Sequence, residues 1–218
     1  MVRLERIEYS EIRRKPEKAA SYNKKYEQEL HKRLSNWREK RLLELLLART
    51  GQNDLVLDVP CGAGRLSPVI AGHAGQLVEM DYSREMLKLC RANADTYKPL
   101  VAAASAFQLP FSDRAFDLVV SIRLSHHITD REARKDHVRE MLRVSRRWVL
   151  LTFFGEESLK NRLRNLYRLL GGKKRPKLTL RRSEVAEIAE QAGFRVVVSK
   201  GISPVLSGHY FTLLERRP

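Results

Sequence analysis

Covalent cross-links are nearly absent from this chain. It has two cysteines, Cys61 and Cys90. Two are too few for a disulfide framework, and no Cys-x-x-Cys pair points to a zinc site. That usage fits a reducing cytoplasm. No apolar run approaches the ~20 residues of a membrane-spanning helix. The amino-terminal Met-Val-Arg-Leu-Glu-Arg mixes charges and lacks an apolar stretch, so no secretory signal is expected. No repeat recurs, and no linker is long enough to divide the chain. A single domain over residues 1–218 is expected, with a helical extension over 1–50 and a basic insertion over 156–182.

Negative charge is also scarce. Lys and Arg number 42 against 26 Asp and Glu, giving a formal net charge of +16. The excess is uneven. Residues 155–182 hold ten Lys/Arg and two Glu, and residues 1–50 hold 14 Lys/Arg and eight Glu. Residues 51–154 are nearly balanced, with 14 basic and 12 acidic side chains. Such a distribution favours anionic partners: nucleic acid, an anionic membrane surface or a phosphorylated substrate. The plain alternative is a solvated basic surface that aids solubility.

Strands and helices alternate through the pattern. Leu55–Val59, Gln76–Asp81, Pro99–Ala104, Phe116–Ile122 and Trp148–Phe154 read as strands. Between them lie helical stretches from about Leu66, over Ser83–Asp95 behind a Ser cap, and over Asp130–Val144. A further helix spans about Ser21–Thr50, with Leu30, Leu34, Trp37, Arg41, Leu42, Leu45 and Leu46 at helical steps, and stops at Gly51. The basic segment starts as a helix with Leu159, Leu163, Leu166, Leu169 and Leu170 on one side. Ser183–Ala192 is a helix with Ser183 as its cap, and Phe194–Ser199 and His209–Glu215 are strands. Alternation predicts an α/β fold: a Rossmann-like, seven-stranded, mostly parallel sheet with helices on both faces. The short link between the last two strands makes them antiparallel at one edge.

Asp58-Val59-Pro60-Cys61-Gly62-Ala63-Gly64 joins a buried strand to a helix. Glycines there permit a tight turn and close approach of backbone to ligand. About twenty residues on, Asp81 ends the second strand, where a carboxylate accepts hydrogen bonds from ribose hydroxyls. Together they describe a nucleoside-binding site. Ser105-Ala106-Phe107-Gln108-Leu109-Pro110-Phe111 follows the third strand, and Leu124-Ser125-His126-His127-Ile128 the fourth.

With these segments in this order, residues 40–154 resemble the class I S-adenosyl-L-methionine (SAM)-dependent methyltransferases. The likeness is to the subgroup containing ubiquinone- and menaquinone-biosynthesis enzymes. It implies that Asp58, Cys61, Gly62 and Gly64 line the methionine part of SAM. Asp81 then holds the ribose and Tyr82 packs near the adenine, with Ser105 and Ala106 at the adenine edge. Ser121, Arg123 and Leu124 fall at the strand end beside the methionine. Three departures stand out. Pro60 replaces the first glycine of the loop, Ser105 an aspartate that meets the adenine amine, and Val144–Trp148 lacks a Lys-Pro-Gly-Gly turn.

His126 and His127 fall near where the SAM methyl should point. Either serves as a base if the acceptor must lose a proton, or as a positioning or packing group. Ser125-His126 has no Gly-x-Ser-x-Gly elbow and makes no hydrolase. The Leu-rich basic segment is read as a substrate lid or an anionic-surface dock. Its leucines would cover the site, with Arg162, Arg164, Arg168, Lys173, Lys174 and Arg175 outward; or the helix packs on the core in the ordinary way. Tyr22–Tyr26, with Lys24 and Lys25, is a second candidate cover. These residues and Trp37 suit nucleic acid, although no RNA-binding module is present. The expected function is methyl transfer from SAM, with S-adenosyl-L-homocysteine as product, to a small or lipid-like acceptor that is compatible with an anionic group. Alternatives are an RNA or protein methyltransferase and a SAM-binding interaction protein without transfer activity. The expected location is cytoplasmic, with or without peripheral membrane contact.

Overall fold

The computed structural model describes residues 30–173, 177–203 and 207–218. The expectations for Tyr22–Tyr26, Lys174 and Arg175 lie outside them. In chain order the elements are α1 (Leu30–Leu47), β1 (Asn53–Asp58), α2 (Ser67–Ala71), β2 (Ala74–Asp81), α3 (Arg84–Ala92) and β3 (Leu100–Ala103). Then come β4 (Phe116–Ser121), α4 (Arg131–Val144), β5 (Ser145–Phe154), α5 (Leu159–Leu169), α6 (Arg182–Gln191), β6 (Phe194–Gly201) and β7 (His209–Arg216).

The seven strands form one sheet in the order β3-β2-β1-β4-β5-β7-β6. Pairings from β3 through β5 are parallel. β7 runs antiparallel to both β5 and β6. The predicted Rossmann-like architecture therefore forms, with the reversed strand one place in from the edge.

Alternate side chains of the central strands feed two apolar layers, as the two-residue strand period requires. Leu57, Val119, Val149 and Leu151 meet Met141, Leu142, Val185 and Ala189 of α4 and α6. Val56, Leu118, Val120 and Leu150 meet Leu43, Leu47 and Ile70 of α1 and α2. Helix starts are fixed locally. Ser83 Oγ accepts from Met86 N at 3.3 Å, and an Asp130 carboxylate oxygen accepts from Ala133 N at 2.8 Å.

Two patterns depart from expectation. In α1 the buried face is Glu39, Leu42, Leu43, Leu46 and Leu47, whereas Leu34, Trp37 and Leu45 are about half exposed. The helix is rotated so that Glu39 faces inward, for a reason found at the site below. At α6 the cap is Arg181, not Ser183. The Glu184 carboxylate accepts from Arg181 N at 2.8 Å, and Glu157 accepts from Arg182 N at 2.9 Å. Acidic side chains thus satisfy the backbone amides at the start of this helix.

Candidate functional site

Strand order reverses between β1 and β4, and in open parallel sheets a ligand crevice forms there beyond the carboxyl ends. The loop after β1 is strapped to both neighbours: Val59 N donates to Val120 O and Cys61 N to Met80 O, each at 2.9 Å. Pro60 enters it through a cis peptide. Gly62 and Gly64 have φ of +58° and +75°, the left-handed region that glycine enters without penalty. A Cβ on Gly62 would meet nothing, so this glycine serves backbone direction. A Cβ on Gly64 would lie 3.1 Å from Cys90 Sγ, so that glycine also lets α3 close on the loop.

Asp81 organises the neighbouring turn. One carboxylate oxygen accepts from Gly62 N at 3.0 Å and the other from Ser83 N at 2.8 Å. The two candidates nineteen residues apart are thereby in direct contact. Tyr82 follows, half-buried. Asp58 is buried, and its carboxyl is held well above the usual range by burial first, then by Glu79 and Asp81. Arg65 opposes the shift, but its guanidinium is engaged with Asn36 and Glu39. The result is a cluster of carboxyls whose ionisation a cationic ligand would favour. Cys61 is pushed up by its hydrogen bond with Cys90 and by burial, so it stays a thiol.

Ser105 and Ala106 follow β3, beside Asp81: Ala104 N donates to Asp81 O at 3.2 Å. The Ser105 hydroxyl accepts from Phe107 N at 3.3 Å. Ala106 O lies 3.2 Å from Nδ1 of His137, whose Nε2 lies 3.0 Å from the Ser121 hydroxyl. His137 is buried, and burial lowers it to about 4. Sequence reasoning named Ser105, Ala106 and Ser121 but missed the histidine that joins them. Its only signal was a histidine on the apolar face of a helix.

The second half of the crevice lies at the ends of β4 and β5 and the start of β7. Arg123 has a φ of +64°, uncommon for a side chain of its size. Its backbone N donates to Thr152 Oγ1 at 2.8 Å, and its Nε to Glu39 Oε1 at 2.7 Å. Arg65 donates to the other Glu39 oxygen at 2.8 Å. Burial raises the Glu39 pKa, but the two guanidinium groups outweigh it and leave the carboxyl below its usual range. This fully buried carboxylate is why α1 is rotated. It fastens the helix to the loops after β1 and β4 together.

Leu124 is buried ahead of a single 3₁₀ turn, Ser125–His127. The His126 ring centroid lies 4.1 Å from His127, 4.8 Å from Phe154 and 5.9 Å from His209. Burial is the main cause lowering His126 to about 2 and His209 to about 3. Both are neutral near pH 7. His126 Nδ1 and His209 Nε2 are buried without a hydrogen-bond partner. His209 and Glu39 were not legible as site residues, because each lies far in sequence from the motif it joins; Arg65 directly follows Gly64, but its partner Glu39 is 26 residues away.

Residues 57–153 match the family model of the methyltransferase domain. This stretch is a methyltransferase domain of the SAM-dependent class. It runs from the end of β1 through nearly all of β5, and so holds the loops after β1 and β4 but neither Glu39 nor His209. The malonyl-[acyl-carrier protein] O-methyltransferase of Geobacter sulfurreducens is 31% identical over 166 residues, 72% of this chain and 61% of that one. The demethylmenaquinone methyltransferase of Bacillus licheniformis is 29% identical over 92 residues, 40% of this chain and 38% of that one. The chain thus spans less than two thirds of the length of these curated relatives. Magnesium protoporphyrin IX methyltransferase from Synechocystis, solved with bound S-adenosyl-L-homocysteine, shares the fold. Its TM-score is 0.71 at 14% identity, over 87% of this chain and 88% of that one. The methyltransferase domain therefore has SAM as its expected partner, and the residues present fit it. Loop glycines open the backbone, Asp81 offers two acceptor oxygens, and the carboxylate cluster suits a ligand bearing an ammonium and a sulfonium.

Proposed function

We propose that this protein transfers a methyl group from SAM to a small or lipid-like acceptor. The observation that carries this reading is the contact of the loop amide of Gly62 with the Asp81 carboxylate, inside a methyltransferase domain. Asp81 would hold the ribose hydroxyls. Asp58, Cys61, Gly62 and Gly64 would line the methionine end, with Tyr82, Ser105 and Ala106 around the adenine. Ser121, Arg123 and Leu124 form the crevice wall beside the methionine. When bound, SAM supplies an electrophilic methyl on a sulfonium, so the protein's work is alignment and exclusion of water.

The acceptor would lie against His126, His127, Phe154 and His209. The neutral imidazoles of His126 and His209, each with a nitrogen that has no hydrogen-bond partner, give a hydrogen-bonding wall. With His126 lowered to about 2, proton storage at neutral pH is a poor role for it, and positioning a good one. Quinone and acyl-carrier relatives support a small or lipid-linked acceptor over RNA.

Calorimetry with SAM and S-adenosyl-L-homocysteine tests the cofactor half; absence of binding overturns it. Labelled SAM with cell extract, split into lipid, RNA and small-molecule fractions, tests the acceptor. Label confined to RNA overturns the acceptor reading. Tight SAM binding with no label in any fraction overturns the transfer activity.

A further inference from the structure

Helix α5 is built inside out. At 100° per residue, Leu159, Leu163, Leu166 and Leu170 fall within about 60° of arc, and Asn161 lies opposite them. A soluble helix turns its apolar stripe to the core. Here the buried residue is Asn161, whose side chain donates to Gly155 O at 2.7 Å. Gly155 N in turn donates to Gly208 O at 2.8 Å. A Cβ on Gly208 would sit 2.6 Å from Asn161 Nδ2, so the polar side of α5 is seated tightly on the body. The leucines point the other way. Leu159, Leu163, Leu166, Leu169 and Leu170 are 47–84% exposed, and Tyr167 is 49% exposed. The expectation that the stripe covers the site or the core is therefore overturned. The polar anchor at Asn161 fixes the rotation of the helix and leaves the leucines in solvent.

Exposed apolar surface of this extent marks an interaction site. Its flanks identify the partner. Lys160 and Arg162 border the stripe, and residues 155–182 hold ten Lys/Arg against two Glu. A protein groove suited to leucines has no need of so many cations. An anionic bilayer matches both features, because interfacial helices sink leucines to the acyl boundary and keep Lys and Arg among the headgroups. No helix among the described residues is long and apolar enough to cross a membrane. We propose that α5 docks the protein on the surface of an anionic lipid bilayer, leucine stripe inward, beside the mouth of the crevice. Phe154, which borders His126, is five residues from the start of α5. Docking there would present the acceptor half of the site to the lipid surface.

Docking is measured without turnover, so it stands or falls apart from methyl transfer. The full chain is sedimented with vesicles of phosphatidylcholine and with vesicles of phosphatidylcholine and phosphatidylglycerol in equal parts. Binding to the anionic vesicles should be at least about ten-fold tighter, since each cation at such a surface is worth roughly five-fold. The joint variant Leu163→Ser, Leu166→Ser and Leu170→Ser should lose at least about ten-fold on anionic vesicles with its melting temperature unchanged. Equal binding to both vesicles, or full binding by the variant, overturns the proposal. Two other occupants give distinct signatures, each overturning it. If the stripe pairs with a second copy, sedimentation velocity shows a dimer that the variant dissociates, without vesicle binding. If residues 1–29 cover the stripe, the variant lowers the melting temperature and wild type ignores vesicles.

Discussion

The two halves of the crevice are made in opposite ways. The half at β1 to β3 is assembled from short loops that satisfy themselves: the Gly62 and Ser83 amides bind Asp81, and the Phe107 amide binds the Ser105 hydroxyl. The half at β4, β5 and β7 is assembled from distant residues and left unfinished. Glu39 crosses to Arg123, His209 meets His126, and two imidazole nitrogens have no partner. A cofactor shared by many enzymes rewards a compact, reusable loop. An acceptor particular to one enzyme is met by whatever side chains the fold brings together. The two halves should therefore fail differently when altered.

The largest effect is expected at the Glu39 clamp, which joins them. Glu39→Gln removes a buried charge and leaves Arg65 and Arg123 uncompensated. Breaking a buried pair this way costs about 3–5 kcal/mol, and Arg123 is only 27% exposed at its side chain. Denaturant unfolding should show a loss near the lower figure. A change below about 1 kcal/mol would mean that α1 is held by its leucines alone. The clamp also has a pH signature. Because the folded Glu39 pKa is depressed, its stabilisation is complete above the unfolded value and is lost as pH falls through the folded one.

Next is Asp81→Ala, which should weaken SAM binding about 100-fold, as expected for losing charged hydrogen bonds of about 1.5–3 kcal/mol. Calorimetry measures it. Equal binding by the variant would remove Asp81 from the cofactor half. Thermal melts without ligand should shift less than for Glu39→Gln, since the Asp81 partners are backbone amides at a solvent edge.

A third effect comes from three buried histidines, two of them in the half proposed to meet the acceptor. His126, His209 and His137 are lowered to about 2, 3 and 4. With unfolded values near 6.5, the unfolded chain takes up protons first as pH falls. Stability is thus complete above about pH 6.5 and declines toward pH 4, by about 1.4 kcal/mol per pH unit for each histidine. Asp58 and Glu79, both raised, work in the opposite direction. His209→Phe, set among Phe154 and Phe211, should reduce the slope by one histidine's share. It should leave SAM affinity within about two-fold and lower turnover about ten-fold, the value of one hydrogen bond to substrate. A matched loss of SAM affinity would merge the two halves into one unit.

How much of this was legible follows the same division. Asp58, the glycines and Asp81 lie in two short segments at strand ends, so a short continuous apolar run followed by Gly or Asp exposes them. The mostly parallel seven-stranded sheet was legible too, since alternation of strand and helix constrains topology strongly. Glu39 was hidden, because one acid in a Leu-rich helix looks like solvent-facing charge. His209 was hidden, because nothing local distinguishes the first residue of an edge-region strand. The rotation of α5 was hidden for a different reason. Its leucine stripe reads as a core face in sequence, and only the tie from Asn161 to Gly155 shows that it turns outward.

The smallest expected effect probes the one unusual choice in the compact half. The family resemblance leads one to expect an aspartate where this chain has Ser105, whose hydroxyl already accepts from Phe107 N. An aspartate in its place keeps that turn, because a carboxylate accepts the same amide bond more strongly. Its second oxygen then remains available to an adenine amine. It would stand beyond Ala103, the partner of Asp81 in the parallel pairing of β2 and β3, and that nearby negative charge subtracts from the gain. The balance should be a few-fold tighter SAM binding for Ser105→Asp, about 0.5–1 kcal/mol, with turnover at saturating SAM unchanged. Calorimetry resolves a change of that size. Weaker binding would mean that the acidic cluster around Asp58 and Asp81 has no room for another charge. In that case serine at 105 is an adaptation to this cluster, and the compact half is as particular to this chain as the acceptor half.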